Sequence, residues 1–193
     1  MIDEHKLSAL WKVAERLMPR SGSHSIEHTR RVYELCLLLG NKLGADLDIL
    51  LPAAILHDIG RRREVADHAE ESAKLSEEVL KERGFNEQEI KRIIEAIRTH
   101  SFSGDRRPTS LEAEILSDAD KLDTIGAVGV YRAAAYASEE DRTIKDFIDH
   151  FHEKLLKLPD LLYTEPAREM ALRRREFMDR YLKQLDDELR LDL

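Results

Sequence analysis

His57 and Asp58 stand side by side at the end of the apolar run Ala53-Ala54-Ile55-Leu56. Two adjacent polar groups carried into a core need partners, because burying one unpaired costs about 2–7 kcal/mol. Taken alone, the pair has a plain structural account: a histidine capping its helix C-terminus beside an acid that pairs with Arg61. Two other segments add to it. His28 lies in His28-Thr29-Arg30-Arg31-Val32, on a helix whose apolar face turns the imidazole toward the core. Asp118-Ala119-Asp120-Lys121-Leu122-Asp123 puts three carboxylates on a helix that also carries Ile115, Leu116 and Leu122. Positions 120 and 123 are three apart and share a face. Such acids repel one another unless a cation neutralises them. A divalent metal held by His28, His57, Asp58 and Asp120 would do so. Imidazole and carboxylate together suit Mn, Fe, Co or Ni better than Mg alone.

The elements that must position these residues all read at the helical period. Leu7, Leu10, Trp11, Ala14, Leu17 and Met18 place a first helix over about 3 to 18, with Asp3 as N-cap and Pro19 and Gly22 as its stop. A second spans about 24 to 43, and a third begins at Leu47 and ends at Gly60, just after His57-Asp58. Residues 67 to 83 follow, closed by Gly84, and then Asn86 caps a helix through Ile90, Ile93, Ile94 and Ile97. The stretch 101 to 108 is the most loop-like. Ser110 caps a helix through Leu111 and Leu122, and Gly126 and Gly129 allow close packing or a break near its end. Two long helices, about 140 to 158 and 165 to 189, complete the chain. No stretch alternates long enough for a strand, and no linker divides the sequence. The expectation is one all-α domain over 1 to 193, a helical bundle with its motif core at about 20 to 130 and C-terminal helices at 140 to 190 packed on it.

Composition narrows the function classes. The 193 residues carry 31 Lys+Arg against 39 Asp+Glu, a net charge of −8, and only one cysteine. One cysteine excludes an intramolecular disulfide and a Cys-rich zinc module. Excess acid argues against a nucleic-acid polymer as partner. No apolar run reaches a membrane span and no signal-peptide pattern opens the chain, so the expected setting is cytoplasmic, with no membrane partner. Cys36, within Leu35-Cys36-Leu37-Leu38-Leu39, reads as a core thiol. The arginine run at 173 to 175 reads as a solvated face. His5 and His150 fit no motif and read as surface residues.

The order His … His-Asp … Asp on an all-helical chain resembles the HD-domain phosphohydrolase superfamily. The segment from His24 to Val32, the run Ala53-Ala54-Ile55-Leu56-His57-Asp58-Ile59, and Leu116 to Gly129 are similar to the three motifs of its small stand-alone branch. Phe151 to Leu158 and Arg175-Glu176-Phe177-Met178 resemble that branch's C-terminal helices. The match covers about residues 20 to 185. The resemblance implies His28, His57, Asp58 and Asp120 as metal ligands, Asp120 rather than Asp118 because it directly precedes the basic residue. In members that hold two metals, extra histidines stand near the places of His68 and His100, so the second ion would take these two with Asp58 as bridge. Their other reading is a helix N-cap and a helix C-terminus. Ser25 stands where the branch often has Asp, which leaves His24 as the trailing member of the histidines expected to converge with Asp58 and Asp120. His152 stands where an aromatic is common.

A divalent cation lowers the pKa of a water, polarises a phosphoryl oxygen and templates in-line attack. The expected activity is therefore hydrolysis of a small phosphorylated molecule, a nucleotide first, by a metal-activated water. Pyrophosphohydrolysis of a nucleoside triphosphate leads, with phosphomonoester and phosphodiester cleavage as neighbours. Arg31 and Lys121 are best placed to meet the phosphoryl oxygens. Arg61, Arg62 and Arg63 follow the His-Asp pair, and Lys154 and Lys157 suit a polyphosphate chain. Asp123 would accept a hydrogen bond behind the metal or carry a proton, and Asp118 and Glu64 are candidates for the general acid. A nucleotide-binding regulatory module and a di-iron oxygenase are the competing readings. The oligomeric state stays open, a homodimer included.

Overall fold

Asp3 accepts hydrogen bonds from the backbone N–H groups of His5 and Lys6, and this cap starts the first helix of the computed structural model, α1 (Glu4–Leu17). The structure describes residues 3–62, 65–101 and 106–191. After α1 come α2 (Ile26–Leu43), α3 (Leu47–Leu56), α4 (His68–Glu82), α5 (Glu87–Thr99), α6 (Leu111–Asp123), α7 (Gly126–Glu139), α8 (Ile144–Glu153), a 3-10 segment (Leu155–Leu161) and α9 (Glu165–Arg190). Among the described residues there is no strand, so the all-α expectation holds. None of these helices is long and apolar enough to cross a membrane. The chain divides into two compact units, Met1–Asp120 and Lys121–Leu193.

The first unit is built on α3. Every residue from Ile49 to Leu56 is buried, Pro52 included. A helix apolar on all sides must be enclosed, and α1, α2, α4 and α5 pack on it. Each of these shows one apolar stripe to the core: Leu7, Leu10 and Ala14 on α1; Val32, Cys36 and Leu39 on α2; Ala69, Ala73 and Leu80 on α4; Ile93, Ile94 and Ile97 on α5. Since α3 runs through the middle, whatever follows its last turn emerges in the interior. His57 and Asp58 follow it, and Gly60 comes next. Gly60 donates its N–H to Ser72 Oγ at 3.0 Å. Its Cα lies so close to the α4 backbone at Glu71 and Ser72 that a Cβ would clash there. Only glycine brings the end of α3 this near to α4. Cys36 is a buried free thiol, and burial pushes its pKa well up, as a core role requires.

In the second unit the break that Gly126 allowed is present, and several other readings change. The helix carrying the three acids ends at Asp123, where tightened bonds from Thr124 N–H to Lys121 O and Ile125 N–H to Leu122 O precede a left-handed Gly126 at φ 78°. A new helix, α7, starts there. It is rich in alanine, so it lacks the stripe of large apolar side chains by which the other helices are recognised. The expected single helix over 140 to 158 is instead α8 and the 3-10 segment. A reciprocal Thr143–Asp146 capping box starts α8, and Lys154, at φ −131°, leaves helical geometry. Pro159 offers no N–H to continue the ladder. Arg174 also departs from a purely solvated role: it is half-buried, donates to the Leu122 carbonyl and lies against Gly126. His150 is half-buried beside Tyr136, and burial lowers its pKa, so it is no plain surface residue.

Candidate metal centre

Helix ends place most of the histidines. His57 is the C-cap of α3, His68 the first residue of α4 and His100 the C-cap of α5. His28 sits in the first turn of α2, and His24 in the turn before it. Ser117 on α6 donates to the carbonyl of His100 at 2.9 Å, fixing the end of α5. All of these, with Asp58 and Asp120, belong to the first unit.

They converge on one carboxylate. Asp58 is buried, and its two oxygens face different sets of rings. Oδ2 lies 3.6 Å from His24 Nδ1, 3.8 Å from His28 Nε2 and 3.8 Å from His57 Nε2. Oδ1 lies 3.7 Å from His68 Nε2, 3.7 Å from His100 Nε2 and 3.4 Å from Arg61 Nη1. Asp120 enters from the His28 side, its Oδ1 3.3 Å from His28 Nε2. Among the described residues three overlapping groups form, each compact enough for one ion: His24, His28 and Asp58; His28, His57 and Asp120; His57, Asp58 and His100. His68 reaches Asp58 but joins none of these groups among the described residues.

Tautomers follow from the backbone. His57 Nδ1 is 2.8 Å from the Ala54 carbonyl and His100 Nδ1 is 2.6 Å from the Ile97 carbonyl. A carbonyl can only accept, so each Nδ1 carries the proton and donates it. In the neutral ring Nε2 is then a bare lone pair aimed at Asp58, the way a ligating imidazole is oriented by the bond behind it. Each ring is thus a helix cap and an inward-facing donor at once. His57 Nε2 also lies 3.3 Å from His28 Nε2. Two such nitrogens and two carboxylates form a donor set that fits a divalent transition metal.

Electrostatics agree with that fit. Burial lowers the His57 pKa to about 4 against the pull of Asp58, so the ring is neutral at pH 7. Burial likewise lowers His68 to about 4. For His100 burial also pushes down, but the hydrogen bond and charge of Asp58 prevail and raise it above 6.5. Burial opposes ionisation of Asp58, yet Arg61 and His57 beside it hold its carboxyl well below the usual range. Asp120 is held low in the same way, chiefly by His28. Asp58 draws a proton to His100 where a cation would take the proton's place.

The remaining expected residues fall elsewhere. Arg31 is half-exposed on α2, and Arg62 is exposed. Asp118 is fully buried. In the second unit Asp123 pairs with the buried Arg132 at 3.2 Å, which fits an acceptor rather than a proton carrier. Lys121 lies over the Tyr163 ring at 5.0 Å. Lys154 is half-buried at the end of α8 and Lys157 is exposed. Arg63 and Glu64 lie outside the described residues. Sequence reasoning missed Ser72 and Ser117 as anchors of the loops that present His57 and His100. The only signal was a hydroxyl within an otherwise apolar helix face.

The chain is similar to proteins of known family and fold. A model of the HD domain family matches residues 25–125. YpgQ of Bacillus subtilis is 31% identical over 185 residues, spanning 90% of this chain and 88% of that protein. The crystal structure of YpgQ in complex with ADP matches with a TM-score of 0.84 over 97% of both chains. A Lactobacillus plantarum protein reaches a TM-score of 0.85 at 30% identity, over 99% of this chain and 100% of its own. An HD-superfamily hydrolase from Bacillus thuringiensis reaches 0.78 at 28% identity, over 97% and 98%.

Proposed function

Since this chain belongs to the HD-domain family and shares the fold of an HD-superfamily hydrolase, we propose that it is a metal-dependent phosphohydrolase acting on a nucleotide. What carries the reading is the buried Asp58 carboxylate, which has imidazole nitrogens on both oxygens, two of them with their lone pairs aimed inward by backbone carbonyls. His28, His57, Asp58 and Asp120 would hold a divalent ion such as Mn, Fe, Co or Ni. His68 and His100, the donors expected for a second ion, stand beside Arg61 on the other oxygen of Asp58. The cation supplies a Lewis acid that acidifies a water and polarises a phosphoryl oxygen.

The chain's own residues do the rest. The carbonyls of Ala54 and Ile97 fix the rings of His57 and His100 so that they need not reorient when charge develops. Burial of Asp58 keeps bulk water from competing for its carboxylate, and Asp120 beside it is half-buried. Arg31 and Arg61 would meet phosphoryl oxygens, since guanidinium forks match them. Lys121, Lys154 and Lys157 stand as proposals for the phosphate chain on the strength of the family resemblance. The nucleotide as substrate is supported by the relative YpgQ, whose structure was obtained in complex with ADP. The setting proposed is cytoplasmic.

Purified protein loaded in turn with Mn, Fe, Co and Ni, and screened against nucleoside mono-, di- and triphosphates for phosphate or pyrophosphate release, tests this. Turnover with at least one metal, abolished by chelator, is expected. A folded, metal-loaded protein that turns over none of them would overturn the proposal.

A further inference from the structure

The two oxygens of Asp58 are not equivalent. Oδ2 faces the imidazoles of His24, His28 and His57, whereas Oδ1 faces His68, His100 and the guanidinium of Arg61. Arg61 is the nearest of these three, with Nη1 at 3.4 Å. We propose that Arg61 is a resident positive charge on the Oδ1 side of Asp58 and thereby limits the centre to one divalent ion, held on the Oδ2 side. The proposal rests on the cation reading given above and specifies how many ions that centre takes.

Three observations carry it. An ion bound to Oδ1 and His100 would compete with Arg61 for the same lone pairs. It would also sit within a few ångströms of a like charge inside a buried site, where such repulsion is poorly screened. Arginine cannot relieve that repulsion by losing its proton. The backbone beneath the side chain is pinned as well. Arg61 N–H donates to the Asp58 carbonyl at 3.0 Å, and Gly60 N–H donates to Ser72 Oγ at 3.0 Å. The Gly60 Cα is pressed so closely on α4 that the turn cannot slide toward it. Finally, His68 reaches Oδ1 but stays out of the compact group formed by His57, Asp58 and His100. The compact group that includes His100 therefore gains no further donor from α4. The Arg61 side chain is about a third exposed (32%), so solvent and an ion can replace it once it is shortened or neutralised. One divalent cation with one guanidinium would then present three positive charges, one fewer than two divalent ions supply in a two-metal site.

Counting ions tests this. Wild-type protein and the variants Arg61→Met and Arg61→Gln, each stripped with chelator and shown to be folded by circular dichroism, are titrated with Mn²⁺. Stoichiometry is read by calorimetry and by elemental analysis, and Mn²⁺ electron paramagnetic resonance reports on whether two ions couple. One ion in the wild type and two in at least one variant, with a coupled-pair spectrum, is the expected result. Two ions in the wild type, or one ion in both variants, would overturn the role of Arg61 while leaving the cation centre intact. No ion bound to the wild type would overturn the cation centre itself, and the role of Arg61 with it.

Discussion

At the scale of single residues, Asp58 does what no neighbour can replace. Asp58→Asn keeps the size of the side chain and removes its charge. We expect elemental analysis to show loss of the ion, and activity to fall by more than the 10–100-fold that altering an outer partner of a metal typically costs. Retention of the ion in the Asp58→Asn variant would show that the carboxylate is not a ligand. The histidines around Asp58 make stability depend on pH in a direction that can be worked out. His57 and His68 have folded pKa values lowered from 6.5 to about 4, so between those limits the unfolded chain holds protons that the folded one does not. Chelated protein should therefore lose stability as pH falls from about 6.5 to 4. The loss is at most about 3 kcal/mol for His57 and less for the partly exposed His68. His100 works the other way: its raised value adds stability that is present below 6.5 and lost as pH rises through the folded value. Urea midpoints of chelated protein between pH 4 and 8 check this, and a midpoint unchanged from 6.5 to 4 would contradict the buried neutral rings.

At the scale of elements, the site is a meeting of helix ends, and the contact that sets its spacing is Gly60 against α4. Gly60→Ala puts a Cβ into the backbone of Glu71 and Ser72. We expect a loss of about 1–3 kcal/mol, the usual range for overpacking, together with weaker ion binding because His68 opens α4. Urea denaturation and Mn²⁺ calorimetry on the same variant read both effects. Ser72→Ala strands a buried N–H instead and should cost about 1–3 kcal/mol by the same assay. Neither effect was legible in the sequence, where Gly60 marked only the end of a helix. The helices with large apolar stripes were legible, and so was the convergence of His28, His57 and Asp58, since an apolar α3 has to deliver its last residues into the core. His24 was legible only as a trailing member of that cluster, because its contact to Asp58 depends on the turn before α2. The break at Gly126 was one of the two roles its glycine offered, whereas the alanine-rich α7 escaped because a helix of small residues leaves no amphipathic contrast. The Thr143–Asp146 cap was present in the sequence, yet its effect is to start α8 later than periodicity alone places it.

At the scale of the whole molecule, 39 acidic side chains and a charge of −8 will attract any divalent ion to some degree, so a specific centre has to be separated from that background. Every proposed ligand lies in the first unit, and an ion that binds only the folded arrangement stabilises it by RT ln(1 + [M]/Kd). At an ion concentration of 100 times Kd this is about 2.7 kcal/mol, which for a chain of this size raises Tm by about 5–10 °C. We expect that rise with Mn²⁺ or Co²⁺, its reversal by chelator, and its absence in Asp58→Asn. Hydrogen exchange should show the added protection first at the end of α3, the start of α2 and the turn of α6 that carries Asp120, where the ligands sit. An equal rise of Tm in Asp58→Asn would mean that the ion acts through the surface carboxylates, and the buried cluster would then be a set of helix caps and nothing more.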